Sequence, residues 1–289
     1  MPEKAPMANS EKSAKTATRP DMATLGGLLL AAGGILGGLL IEGGKLTDIA
    51  QITALMIVLG GTIGAVMVTT PLKTLLAAAK CLGSVFFEQA HSAEHVIEEI
   101  LGYATKARKN SIMSLESDLP NMTDPFLRKA LTLSVDGTDL QELRTMMELD
   151  IAMQHKNGEA IAKVYEAAGG YAPTIGIIGA VLGLIQVMKH LENIEEVGRG
   201  IAVAFVATVY GVASANLFFL PAANKIKARF HHTLELRELM LEGVCGIVEG
   251  LNPKIIRVKL DAFLTPAPNA KKEAAGAPVE APQAATAKG

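Results

Sequence analysis

The chain has 289 residues, a formal net charge of −2, 49% hydrophobic residues and a mean hydropathy of +0.31. So small a net charge leaves no electrostatic footprint for nucleic acid. The hydropathy is high for a soluble domain and low for a chain built only of membrane spans, so a membrane part joined to sizeable polar segments fits. Trp is absent, and the two cysteines, Cys81 and Cys245, lie far apart with no Cys-x-x-Cys neighbour. They suggest neither a metal site nor a disulfide framework. In the cytoplasmic segments assigned below they should be free thiols.

Residues 1–21 are polar, without an apolar period, and read as a disordered cytoplasmic tail. Residues 22–41 are an uncharged apolar run, long enough as a helix to cross a ~30 Å hydrocarbon core. A signal peptide is the competing reading of this run. Its length, and a second span at 52–68 almost at once, favour a membrane helix. Gly33 with Gly37, Gly34 with Gly38, and Gly60 with Gly64 are four apart, a spacing that favours close helix contact in lipid. Spans one and two therefore occupy 22–70.

Residues 71–165 differ in character. Leu75, Ala79, Leu82, Val96, Ile97 and Ile100 recur at helical spacing with charged residues between them, the pattern of amphipathic helices in water. Breaks are expected at 118–121, where Pro120 ends a helix, and at Asp136-Gly137. Asp139 is a candidate N-cap, with Glu142 as its capping-box partner. From there one helix runs toward the third span.

Residues 166–221 hold spans three and four. The runs 171–188 and 200–220 contain no charged residue, and a short turn with Glu192, Glu195 and Glu196 separates them. Each has a small face: Pro173, Gly176, Ala180 and Gly183 on one, Ala204, Thr208, Gly211 and Ala215 on the other. Such a face either packs within the chain or forms a smooth wall against a helix of another chain. No Asp or Glu falls inside any span. Ion-coupled membrane proteins commonly keep such a carboxylate for use, so a partner is expected to supply it. Residues 222–264 read as a cytoplasmic amphipathic helix, and 265–289, rich in Ala, Pro, Lys and Glu, as a disordered tail.

Lys and Arg set the orientation. The turn at 42–50 holds only Lys45 and the turn at 191–198 holds none, whereas Lys73, Lys80, Arg108, Lys109, Lys225, Lys227 and Arg229 lie on the other side. Both termini and the large insert are cytoplasmic. The expected fold is an all-α membrane protein, four transmembrane helices in two hairpins with a helical cytoplasmic domain.

No catalytic set and no phosphate-binding loop is present, so an enzyme is not expected. His91 and His95 are four apart, but no third ligand is evident, and a solvated helix face is favoured over a metal site. Pro173 removes a backbone donor from the third span, which makes either an ordinary kink or a hinge. The Thr208 hydroxyl either bonds back to the Ala204 carbonyl or stands beside an ion path. Arg108 and Glu116, eight residues apart, fall on roughly one side of a continuous helix and read first as a solvated charged face.

The stretches YAPTIGIIGAVLGLI (171–185), AVAFVATVYGVASANLFFLPAANKIK (202–227), RKNSIMSLE (108–116) and VDGTD (135–139), together with the four-span layout, resemble the MotA/PomA family. Members are the A subunit of the bacterial flagellar stator in the cytoplasmic (inner) membrane. The resemblance implies a ring of A subunits, a pentamer, around a dimer of a MotB/PomB-type B subunit whose single span carries the ion-binding aspartate. It implies that Thr208 faces that aspartate, that Pro173 and Pro221 serve conformational coupling, and that Arg108, Lys109 and Glu116 contact the rotor protein FliG. Some members continue with further acidic residues after that Glu, whereas Ser117 and Leu119 stand around Asp118 here. Sodium-type members resemble GTLIGL in the third span, where this chain has GAVLGL (179–184). Ala180 offers no oxygen to a dehydrated cation, so the expected coupling ion is H+ rather than Na+, with no cofactor. An ExbB/TolQ-like energiser of envelope transport is the alternative; such proteins usually have three spans and lack the 108–116 segment. A purely structural membrane scaffold is a further rival.

Overall fold

In hydrocarbon every backbone N–H and C=O must be satisfied within the protein, and helices do this alone. Four helices of the computed structural model are long and apolar enough to cross: Met22–Ile41, Ile52–Thr69, Leu140–Lys189 and Ile194–Val248. The structure describes residues 18–89 and 92–264. Its contacts divide the chain into two units, 1–91 with 150–234 and 92–149 with 235–289.

The first unit holds the spans. Two of them contain a π-turn, Met56–Gly60 in the second and Ser214–Phe219 in the fourth. At the first, the fully buried Thr62 hydroxyl donates to the Val58 carbonyl at 2.6 Å. The second immediately precedes Leu220 and Pro221. Proline lacks an N–H and its ring crowds the preceding turn, and a widened turn is one way a helix absorbs both. The fourth span is also tied to the turn of the first hairpin. The Tyr210 hydroxyl donates to the Ile49 carbonyl and accepts from the Gln51 N–H at 3.3 Å.

Where the chain leaves the spans, helix Leu72–Phe86 packs Ala78 and Val85 against Ala162, Tyr165, Ala223 and Ile226. The Tyr165 hydroxyl donates to the Ala78 carbonyl at 2.8 Å. Residues 18–21, expected to belong to a tail without structure, form a strand and a helix cap. Thr18–Pro20 pairs antiparallel with Phe87–Gln89, the only ribbon among the described residues. Asp21 then caps the first span by accepting from the Thr24 N–H at 3.0 Å. Its carboxylate, almost wholly buried, also takes Lys225 at 2.5 Å and Arg229 at 2.9 Å. The Lys225 ammonium first, and then the Thr24 N–H and Arg229, hold its pKa far below the ordinary carboxylate range. A depressed carboxylate contributes stability that is complete above its unfolded-state pKa and lost only as pH falls through the folded-state value. The cluster is therefore intact at any cytoplasmic pH.

The second unit contains no span. Ile97, Ile100, Leu127, Leu131, Leu143, Leu239, Ile256 and Leu260 are among its largest buried side chains. Helix Pro125–Val135 starts at Asp124, which accepts from the Phe126 and Leu127 N–H groups, and stops at Gly137, where φ is +81°. Asp139 caps the next helix as expected, accepting from the Gln141 N–H at 2.9 Å. The single helix expected over 222–264 is two. The fourth-span helix ends at Val248, Gly250 turns with φ +69°, and Asn252 caps a new helix, Pro253–Asp261, through the Lys254 N–H. That last helix is held by Glu242, which pairs with Lys259 and, at 2.7 Å, with Arg144. Burial alone would raise the Glu242 pKa, but the two cations hold it below the ordinary value.

Candidate ion path and rotor-facing residues

The small faces of spans three and four meet each other inside one chain. A Cβ added at Gly176 would lie 2.9 Å from the Ala207 carbonyl oxygen and 3.2 Å from Gly211 Cα. One at Gly179 would meet Ala207 Cβ at 2.8 Å, and one at Gly183 would meet Ala204 N at 2.8 Å. From the other side, one at Gly211 would meet the Ala172 carbonyl oxygen at 2.6 Å and Pro173 Cα at 3.3 Å. Gly176, Gly183, Ala204 and Gly211 are buried in this seam. Four of the eight small-face residues thus serve backbone-to-backbone packing between the two spans, the first of the two uses the spacing allowed.

Thr208 and Ala180 lie at the edge of the seam, each half-buried. Gly176 faces Thr208 Cα and Gly183 faces Ala204, so Ala180, one turn from each, stands at their level. The Thr208 hydroxyl donates to the Ala204 carbonyl at 3.2 Å. Its proton is thereby committed, and its oxygen remains an acceptor. Around Ala180, Val181, Leu182 and Leu184 are exposed apolar side chains and offer no ligand oxygen.

Pro173 does not interrupt its helix, which runs unbroken from Leu140 to Lys189. The proline withholds the N–H that the Gly169 carbonyl would accept. Gly169 in turn presses on Leu220, where an added Cβ would lie 2.6 Å from Leu220 Cδ2. Pro173 and Pro221 therefore bracket one contact. The carbonyl freed by the first belongs to the residue packed against the neighbour of the second, and a π-turn adjoins it. The sequence showed the prolines but not their meeting.

In the second unit, the expectation of one helix carrying both Arg108 and Glu116 is overturned. Helix Ala93–Asn110 ends beyond Lys109, Ser111 adopts φ +73°, and a 3-10 turn, Ile112–Leu115, precedes Glu116. A left-handed non-glycine residue stops a helix, so the eight-residue spacing spans a corner rather than two helical turns. The corner is clamped by Lys106, which pairs with Asp118 at 2.7 Å and donates to Ser117 at 3.2 Å. Arg108, Lys109 and Glu116 remain exposed, and among the described residues none of the three makes an ion pair within 4.0 Å. Arg108 lines a cleft of about 330 Å³ with Ser134, Thr138 and Gly250. His91 lies outside the described residues.

Comparison with known proteins places this architecture. Residues 118–239 match the MotA/TolQ/ExbB proton channel family, and residues 25–110 match the motility protein A N-terminal family. The chain is 33% identical over 245 residues to Motility protein A of Bacillus subtilis, covering 84% of this chain and 91% of that protein. The chain belongs to the motility protein A family. It is also 31% identical over 244 residues to the chemotaxis protein PomA of Vibrio alginolyticus, covering 84% of this chain and 95% of that one. Among solved structures, C. jejuni MotAB superposes with a TM-score of 0.81 at 31% identity, covering 86% of this chain and 97% of that one. The flagellar MotAB stator complex of Bacillus subtilis gives 0.78 at 33% identity, covering 86% and 98%. This member of the family has the four apolar helices and the helical polar unit expected of it, with the small ribbon at Thr18–Pro20 added.

Proposed function

We propose that this chain is the A subunit of a flagellar stator, placed in the bacterial inner membrane with both termini cytoplasmic. It conducts protons with a MotB-type B subunit and turns that flow into torque on the rotor. Similarity along almost the whole length to proteins of that name, in two of which the solved complex is MotAB, carries the assignment. A ring of copies around a B-subunit dimer agrees with the missing carboxylate: no Asp or Glu lies within the apolar parts of the spans, so the titrating group comes from the partner.

Thr208 supports the chemistry. With its own proton given to Ala204, its oxygen can accept one from a protonated carboxylic acid on the partner. The path is best placed along the half-buried edge marked by Thr208 and Ala180, not down the small faces themselves, whose glycines are closed against each other. The lack of an oxygen at Ala180 supports H+ over Na+, because a bare sodium ion needs several oxygen ligands. One charge falling through 100 mV releases about 2.3 kcal/mol. That is enough to bias a modest step at a contact such as Gly169 with Leu220, and not enough to break a large packed interface.

Arg108, Lys109 and Glu116 are the proposed points of contact with the rotor protein FliG. Single reversals, Arg108→Glu or Glu116→Lys, should slow swimming while leaving the amount of chain in the membrane unchanged, since exposed charges contribute only about 0–1 kcal/mol to stability. The double reversal should slow it further. Swimming-speed tracking beside membrane immunoblots measures both quantities. Normal speed in the double variant would remove these residues from the rotor contact and favour the ExbB/TolQ-like reading.

A further inference from the structure

A cavity of about 290 Å³ lies between the first span and the cytoplasmic end of the fourth. Gly27, Leu28 and Ala31 line it from one side, Phe86 and Phe218 from the other, and Lys225 stands among its lining residues. The lining is overwhelmingly apolar. No residue of Met22–Ile41 is buried, and a Cβ added at Gly27 would meet nothing within 4 Å. The cavity begins at the first turn of that span, with Ala23 and Thr24, so it sits at the cytoplasmic edge of the hydrocarbon. The Asp21 carboxylate there carries two cations, Lys225 and Arg229, which leaves the cluster one positive charge in excess. About a third of the Lys225 side chain remains exposed.

We propose that this cavity is a binding site for an anionic phospholipid of the inner leaflet. One acyl chain lies along Gly27 and Ala31, and the headgroup phosphate meets the Lys225 ammonium. Basic pockets between spans on the cytoplasmic side recognise such headgroups, and the cytoplasmic leaflet is rich in them. Asp21 is the positioning residue: it fixes both cations at the mouth, and its own charge is outweighed. The strand pair Thr18–Pro20 with Phe87–Gln89 holds Asp21 there, since Asp21 N–H donates to the Phe86 carbonyl at 2.9 Å. The proposal rests on the membrane placement of the first span and not on the stator assignment.

The test uses the full chain co-purified with its cognate B subunit in mild detergent. Phosphatidylglycerol or phosphatidylcholine is added, and native mass spectrometry counts the lipid retained per copy. The wild-type complex should retain phosphatidylglycerol in preference. Lys225→Gln should weaken that retention about fivefold, the equivalent of about 1 kcal/mol per surface cation. Ala31→Leu, which fills the cavity and leaves the charges alone, should lower retention of both lipids. Lys80→Gln, another cytoplasmic lysine outside the cavity, should change nothing. Equal retention of the two lipids, or undiminished retention in Ala31→Leu, would overturn the site. So would absence of lipid from every complex, which would mean that another copy of the chain covers the cavity.

Discussion

Gly211→Ala should cripple swimming and lower the thermal stability of the purified chain, whereas Gly64→Ala should do neither. In a helix interior alanine is favoured over glycine by about 1 kcal/mol, so both changes begin with the same gain. They differ in what the new methyl meets. At Gly64 nothing lies within 4 Å, while at Gly211 the Ala172 carbonyl oxygen is at 2.6 Å, Gly176 Cα at 3.0 Å and Pro173 Cα at 3.3 Å. All three are backbone or backbone-attached atoms, which cannot turn aside as a side chain can. The two spans must separate, and in lipid their association depends on that close approach. Overpacking of this kind typically costs about 1–3 kcal/mol, more than the helical gain returns. The displaced atoms include Pro173 Cα, so the damage should reach the proposed coupling contact as well as the fold. A Gly211→Ala strain that swims at normal speed would show that the seam is looser than these distances say.

Thr208→Val should reduce proton uptake and swimming about fivefold to tenfold, while Thr208→Ser should retain most of both. Valine keeps the shape and removes only the oxygen, so the comparison isolates the acceptor. A tenfold change in rate corresponds to about 1.4 kcal/mol, close to the net worth of one hydrogen bond. If the hydroxyl merely answered the Ala204 carbonyl at 3.2 Å, its loss would touch stability slightly and conduction not at all. Proton flux into vesicles containing the complex with its B subunit separates the two cases. Unchanged flux in Thr208→Val would take Thr208 out of the ion path.

The four spans were legible because uninterrupted apolar runs between charged segments leave a helix as the one economical structure in lipid. The residues of the seam were legible too, by spacing, but their partner was not. Periodicity says that Gly176 and Gly183 share a face, and only coordinates say that the face meets Gly211 and Ala204 of the same chain. Neither π-turn was expected from the sequence: nothing in residues 56–60 announces the first, and Pro221 follows the second without specifying it. The helix stop at Ser111 carried no Gly or Pro signal, so Arg108 and Glu116 read as one helix when they flank a corner. Asp21 looked like the end of a polar tail because its partners, Lys225 and Arg229, lie more than 200 residues away. Tyr210 gives no local signal for the same reason, its hydroxyl meeting Ile49 and Gln51 at separations of 161 and 159 residues. Polar groups that answer each other over such distances leave no local pattern.

The most direct test of the account is the swimming speed of a strain that carries this chain and its B subunit as its sole stator, in sodium-free medium, with and without a protonophore. The account predicts that speed survives the removal of sodium and collapses when the protonophore is added, as Ala180 and the Thr208 acceptor require. Speed that instead rises and falls with sodium would contradict proton coupling. Swimming that does not depend on this chain at all would contradict the stator function itself.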